Sequence, residues 1–97
     1  MPDDYVLSFH PEFFADMKKL DNKEKTIVQR QIRKIKQNPT RFKHLHGREN
    51  CYRIRTGNLR IVYYLDGNKV WFLTVEKRDT VYSIYFRRLH NLKQKME

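Results

Sequence analysis

Cysteine is almost missing from this chain. Cys51 stands alone, which excludes an internal disulfide and leaves it the role of a small, partly buried residue in a reducing compartment. Long hydrophobic runs are missing as well. No stretch is long enough to span a bilayer, and the chain does not open on a charged-then-apolar signal, so a cytoplasmic location and no membrane partner are expected. No repeat, low-complexity tract or linker interrupts the 97 residues, which predicts one small domain over 1–97 with a single modest core. Acidic side chains are scarce: 11 Asp and Glu face 21 Lys and Arg, for a net charge of +10. The scarcity is uneven. Residues 1–22 hold five of the acids, whereas 23–37 carry six cations against Glu24 and 41–60 carry six against Glu49. A chain polarised in this way attracts phosphate backbones, anionic surfaces or acidic proteins, and charge alone does not choose among them.

What is present is aromatic and patterned. Six Phe, six Tyr and Trp71 supply a core within a 39% hydrophobic composition. Tyr5–His10 alternates as a short strand. His10-Pro11 suits a helix entry, because the missing N–H of proline is harmless there. Phe13, Met17 and Leu20 then fall on one helical face. Asp21 followed by Glu24 has the form of a capping box and predicts a second helix, with Val28, Ile32 and Ile35 buried and Asn38-Pro39 as its end. The short gap between the two predicts an antiparallel helix pair.

Residues 40–50 form a basic connection, and strands are predicted over 51–56, 59–65 and 69–77. Gly57-Asn58 and Asp66-Gly67-Asn68 supply the two hairpin turns. Tyr52, Ile54, Ile61, Tyr63, Leu65, Val70 and Phe72 share one face, expected to pack under the helices. The other face carries Arg53, Arg55, Arg60, Val62, Tyr64, Trp71, Leu73, Val75 and Lys77, expected to be an open surface, cationic at one end and apolar at the other. From Asp79 onward, Val81, Tyr82, Tyr85, Leu89, Leu92 and Met96 trace a helical stripe, although VYSIYF is also β-prone. The fold class is α+β, with helices gathered on one side of an antiparallel sheet.

The hairpin NCYRIRTGNLRIVYY is the most telling segment. A Gly57-Asn58 turn places Arg55 directly opposite Arg60, with Arg53 on the same side opposite Val62. Like charges placed opposite each other destabilise a sheet, so this arrangement points to a polyanion as partner. His44 and His46 find no third ligand for zinc, so neither a metal nor a cofactor is expected. Tyr64, Trp71 and Leu73 are candidates for stacking on bases or for being covered by a partner.

The run LHGRENCYRIRTGNLRIVYYLDGNKVWF, followed by KRDTVY, resembles the RelE/ParE toxin superfamily, and the likeness covers nearly the whole chain. The RelE-like fold is what the resemblance implies. In the RelE branch the implied activity is ribosome-dependent cleavage of mRNA in the A site, by attack of the ribose 2′-hydroxyl on the adjacent phosphate. By position, Arg53, Arg55, Arg60 and Arg78 match the basic residues of the family site and Tyr82 its late tyrosine, with Tyr85 fitting a longer spacing. Lys43, His44, Arg48 and Lys77 are expected RNA contacts. The best-known pattern has Lys where this chain has Arg53 and Arg55. Arginine stays protonated, so it clamps phosphate but is a poor base. Glu76, Glu49, His44 and His46 remain as further titratable groups. The implied partners are the ribosome with its mRNA and a cognate acidic, RelB-like antitoxin, with DNA reached only through the antitoxin complex. A ParE-type toxin that poisons gyrase without nuclease activity is the alternative, and an inactive relative acting as a corepressor with its antitoxin is a third reading.

Overall fold

Local signals set the first elements. The computed structural model describes residues 5–45 and 50–96. β1 (Val6–Phe9) runs into α1 (Pro11–Lys18), whose proline sits in the first turn and whose N-cap is His10. The imidazole Nδ1 accepts the Glu12 amide at 3.1 Å. Burial, helped by the positive charge of Arg88, holds the His10 pKa below its usual 6.5. The cap needs neutral imidazole, so the stability it contributes is complete above pH 6.5 and is lost as pH falls through the lowered pKa. A His10→Asn variant caps at any pH. Urea unfolding between pH 7.5 and 5 is expected to show wild type losing stability relative to that variant; parallel curves would remove the titrating cap.

α2 (Asn22–Gln37) begins at the foreseen capping box: Asp21 accepts the Glu24 amide at 2.7 Å, and Glu24 accepts the Asp21 amide at 3.0 Å. Such a cap stabilises a helix by about 1 kcal/mol. β2 (Lys43–His44) is a two-residue strand inside the stretch read from sequence as a plain connection. β3 (Cys51–Thr56), β4 (Leu59–Asp66) and β5 (Lys69–Glu76) form the expected meander. Gly57 and Gly67 hold φ of +58° and +60° in its turns, values that an L side chain rarely adopts. α3 (Val81–Met96) is helical throughout, so VYSIYF forms no strand.

The sheet order is β1-β5-β4-β3-β2. β1 pairs parallel with β5, and the other pairings are antiparallel. The sheet is therefore mixed, where a purely antiparallel one was expected. Neighbouring β1 with β5 requires the chain to cross over, and α1 and α2 supply that crossover.

The helices do not gather on one side. α1, α2 and the link between them bury Phe13, Leu20, Val28 and Ile35 against Ile54, Ile61, Tyr63 and Phe72 on one face. α3 packs Val81, Tyr85, Leu89 and Leu92 against Val62 and Leu73 on the other, with Tyr64, Trp71 and Tyr82 at the margin. The apolar surface expected to lie open is thus covered by the chain's own last helix. Val75 is also on the other face from that foreseen. The β4–β5 register shifts between Val62, which pairs with Thr74, and Tyr63, which pairs with Phe72. The surplus residue, Leu73, inverts the alternation beyond it, and Val75 joins the core under α1 and α2.

β1 ends opposite Phe72, so Leu73 to Glu76 lack a strand neighbour on that side. Asp16 of α1 accepts the Val75 amide at 3.2 Å and the Thr74 hydroxyl at 3.0 Å. Arg88 of α3 donates to the Leu73 carbonyl at 2.8 Å and to the two Asp16 carboxylate oxygens at 2.6 and 3.1 Å. Both side chains are buried, at 2% and 5% exposure. This pair satisfies the open strand edge and ties the helices of the two faces together.

Candidate active site

The β3–β4 register is the one the hairpin turn dictates: Arg55 lies opposite Arg60, and Arg53 opposite Val62. β2 adds Lys43 opposite Arg53 and His44 opposite Tyr52. Three neighbouring strands thus present Lys43, Arg53, Arg55 and Arg60, with strands about 4.8 Å apart. Two unit charges about 5.5 Å apart repel by about 3 kcal/mol at an effective dielectric of 20. Part of this is offset within the protein.

Arg60 is the offset member. It is only 8% exposed. Its Nη1 donates to the carbonyls of Lys77 at 2.7 Å and Asn58 at 3.2 Å. The Asp79 carboxylate stands 2.8 Å from its Nε as a charge contact off the N–H axis. Its guanidinium thus faces the protein and pins the segment that carries Arg78. Asp79 therefore pairs with Arg60 and not with its chain neighbour Arg78.

Arg53 is half-buried, and its Nη1 donates to the Tyr82 hydroxyl. That contact orients the phenol. Its oxygen accepts from the guanidinium, and its own proton is left to give to another acceptor. Tyr82 lies in the first turn of α3, a turn that itself carries no acidic residue. Tyr85 is 6% exposed in the core beneath α3, which separates the two tyrosine candidates.

Arg55, Lys43 and Arg78 are exposed. Lys77 pairs with Glu24 at 2.9 Å while its side chain stays 44% exposed. His44 is exposed, with its ring edge-on to Tyr52 at 5.1 Å. Arg48, His46 and Glu49 lie outside the described residues. Tyr64 and Trp71 are half-buried against α3, with Lys93 and Lys69 each 5.3 Å from their rings, and Leu73 is fully buried. The foreseen stacking surface is therefore part of a core. Glu76, paired in register with Arg60, has its pKa raised by burial and by the neighbouring Asp16. Among the described residues no group of three His, Cys, Asp or Glu could hold a metal ion.

Sequence reasoning missed Lys19 and Thr80, which line a cavity of about 320 Å³ beside Glu76, Lys77 and Arg78. They carry no motif. It also missed the Asp16–Arg88 pair, for which a signal existed. Each residue falls on the apolar stripe of its own helix, beside Phe13 and Leu20 in one case and Tyr85 and Leu92 in the other, and the two charges are opposite.

A five-stranded mixed sheet with two helices on one face, one on the other and a cationic strand surface defines a toxin of the RelE-like α+β fold. The chain belongs to the ParE toxin family of type II toxin–antitoxin systems, whose model matches residues 7–82. No curated protein matches on sequence alone. Among solved structures, a mutant of the Escherichia coli toxin RelE in the free state is 25% identical, with a TM-score of 0.74 over 87% of this chain and 96% of that one. RelE in the RelB–RelE complex of Methanococcus jannaschii is 26% identical, with a TM-score of 0.66 over 78% and 95%. The intact E. coli RelBE complex gives 24% and a TM-score of 0.68 over 77% and 98%. No helix among the described residues is long and apolar enough to cross a membrane.

Proposed function

We propose that this toxin is an endoribonuclease that cuts mRNA in the ribosomal A site by attack of a 2′-hydroxyl on the adjacent phosphate. The observation that carries the reading is the Arg53–Tyr82 contact on the cationic strand surface. It sets a phenolic proton donor beside phosphate-binding cations. The reaction needs the 2′-hydroxyl proton to leave, here to solvent, a proton at the leaving 5′-oxygen, and positive charge around the pentacoordinate phosphorus. In this reading Tyr82 supplies the proton, and Arg53, Arg55 and Arg78 hold the phosphate. Arg60 holds the segment that carries Arg78, and Lys43, His44, Arg48 and Lys77 contact the flanking RNA. A cognate antitoxin with acidic side chains would neutralise the same surface. Because α3 already covers the apolar face, such a partner must bind elsewhere or displace α3.

A second reading keeps support from two findings. The family match is to ParE toxins, and Arg60, foreseen as a phosphate ligand, is bound within the protein. A ParE-type gyrase poison needs no nuclease site. Purified toxin added to translating ribosomes is expected to cut mRNA within the A-site codon, read by primer extension, and to leave gyrase supercoiling unaffected. Intact transcripts together with inhibited gyrase would reverse the assignment.

A further inference from the structure

The strand surface foreseen as a stacking platform lies under α3, and α3 itself carries an exposed ring in its place. Phe86 is 49% exposed. The other exposed large apolar side chains among the described residues, Val6 and Phe14, belong to β1 and α1. The side of the helix on which Phe86 stands is fixed by its neighbours. Tyr82, Phe86 and Lys93 fall within about 40° of one another around an axis of 3.6 residues per turn. Tyr82 meets Arg53 of β3, and the Lys93 ammonium lies 5.3 Å from the centre of the Tyr64 ring of β4. Arg88, on the other flank, reaches Asp16 of α1 and the Leu73 carbonyl of β5. Phe86 is therefore on the flank nearer β3, one turn and about 6 Å along the helix from Tyr82. A cleft of about 180 Å³ opens there, lined among the described residues by Phe86, Leu89, His90 and Lys93. That is below the roughly 300–1,000 Å³ of whole small-ligand sites, and it suits one planar ring system. No Asp or Glu occurs between Val81 and Met96, so no charge of this helix opposes a phosphate.

We infer that Phe86 is the base-stacking platform of the site, holding the base of the nucleotide on the 3′ side of the cut and so setting a sequence preference. The inference rests on the RNA-cleaving reading and adds a specificity residue to it. In that reading Tyr82 gives its proton to the 5′-oxygen of this same nucleotide, which puts that nucleotide beside the phenol. The next turn of the same stripe presents Phe86 to its base. An aromatic ring receives any base by its face, and stacking strength alone favours purines over pyrimidines. Lys93 and His90, both exposed, stand in the cleft wall where they can meet the phosphate that follows. The apolar face of a partner helix would need several exposed anchors along one stripe. Here a single exposed ring stands beside Lys93 and His90, which suits a base.

The test uses full-length toxin and ribosomes programmed with an mRNA that carries 2-aminopurine on the 3′ side of the cut. A 2′-deoxy sugar at the cut blocks cleavage. Binding of wild-type toxin is expected to quench the 2-aminopurine fluorescence. Phe86→Leu keeps apolar bulk at an exposed position, so it should fold. It should lose the quenching and weaken binding about 5–10-fold, the low end for loss of one base–aromatic stack. Phe86→Tyr should restore both. On cleavable mRNA, Phe86→Leu should raise the half-saturating toxin concentration and leave the saturated rate within about 2-fold of wild type, the mark of a lost binding contact. The rise should be larger for a purine than for a pyrimidine at that position. A Phe86→Leu toxin that quenches and binds like wild type would overturn the platform and leave the ring to a protein partner. No quenching by wild type would also overturn it, while cleavage of the all-ribose mRNA judges the nuclease separately. Quenching that depends on Phe86 in a toxin that cuts no mRNA would retain the platform and reject the nuclease.

Discussion

Replacing Arg88 by Ala is expected to lower the unfolding free energy by about 3–5 kcal/mol, the range for removing one partner of a buried ion pair. The reason lies in what remains behind. Asp16 is 2% exposed, and its strongest contact is the Arg88 guanidinium at 2.6 Å. Without it, a carboxylate is left in the interior with the Thr74 hydroxyl, the Val75 amide and a second acid, Glu76, beside it. The Leu73 carbonyl also loses its donor. A domain of this size has about 5–15 kcal/mol of stability in total, so this one change removes a large share of it. Joint replacement by Asp16→Leu and Arg88→Met should recover part of the loss, since hydrophobic isosteres of buried pairs are often tolerated. Recovery should remain incomplete, because the Val75 amide and the Leu73 carbonyl still face an open strand edge. Urea denaturation of the three variants measures this directly. An Arg88→Ala protein within 1 kcal/mol of wild type would mean that water, and not the pair, satisfies the edge.

Tyr82→Phe is expected to slow RNA cleavage by about 10²–10³-fold, within the range for loss of a positioned proton donor. The hydroxyl is the only atom removed, and it accepts a hydrogen bond from Arg53 at a half-buried position, so the fold should tolerate the change. Arg53→Ala should be at least as damaging, since it removes both a phosphate cation and the group that orients the phenol. Arg53→Lys keeps charge but loses the planar fork. It should recover RNA affinity more than rate. Single-turnover cleavage on programmed ribosomes separates the two quantities. Tyr82→Phe cleaving within 3-fold of wild type would exclude the phenol as proton donor and turn attention to Glu76, whose raised pKa gives it the next claim.

Much of the scaffold was legible because its signals are local. The Asp21–Glu24 capping box, the proline after His10, the Gly57 and Gly67 turns and the alternation of Tyr52 and Ile54 each act within a few residues. Through the turn at Gly57-Asn58 they also fixed the pairing of Arg55 with Arg60. The resemblance to the RelE/ParE superfamily was carried by that same hairpin and agrees with the family match. The parallel β1–β5 pair was not legible, because it joins segments some sixty residues apart and nothing in either states the direction of pairing. The Leu73 bulge escaped for a similar reason: FLTV reads as an unbroken strand, and only its pairing with β4 shows the extra residue.

The sequence by itself determined most of the element types, the turns, the cationic hairpin and the family, since these follow from backbone preference, periodicity and order along the chain. Tertiary structure decided what each charge does. It buried Arg60 against the Lys77 carbonyl, joined Arg53 to Tyr82, paired Asp16 with Arg88 across the sheet edge and laid α3 over a face that composition left open. The physical reason is that the value of a charge depends on its solvation and on its neighbours in space. Both are fixed only when distant segments pack.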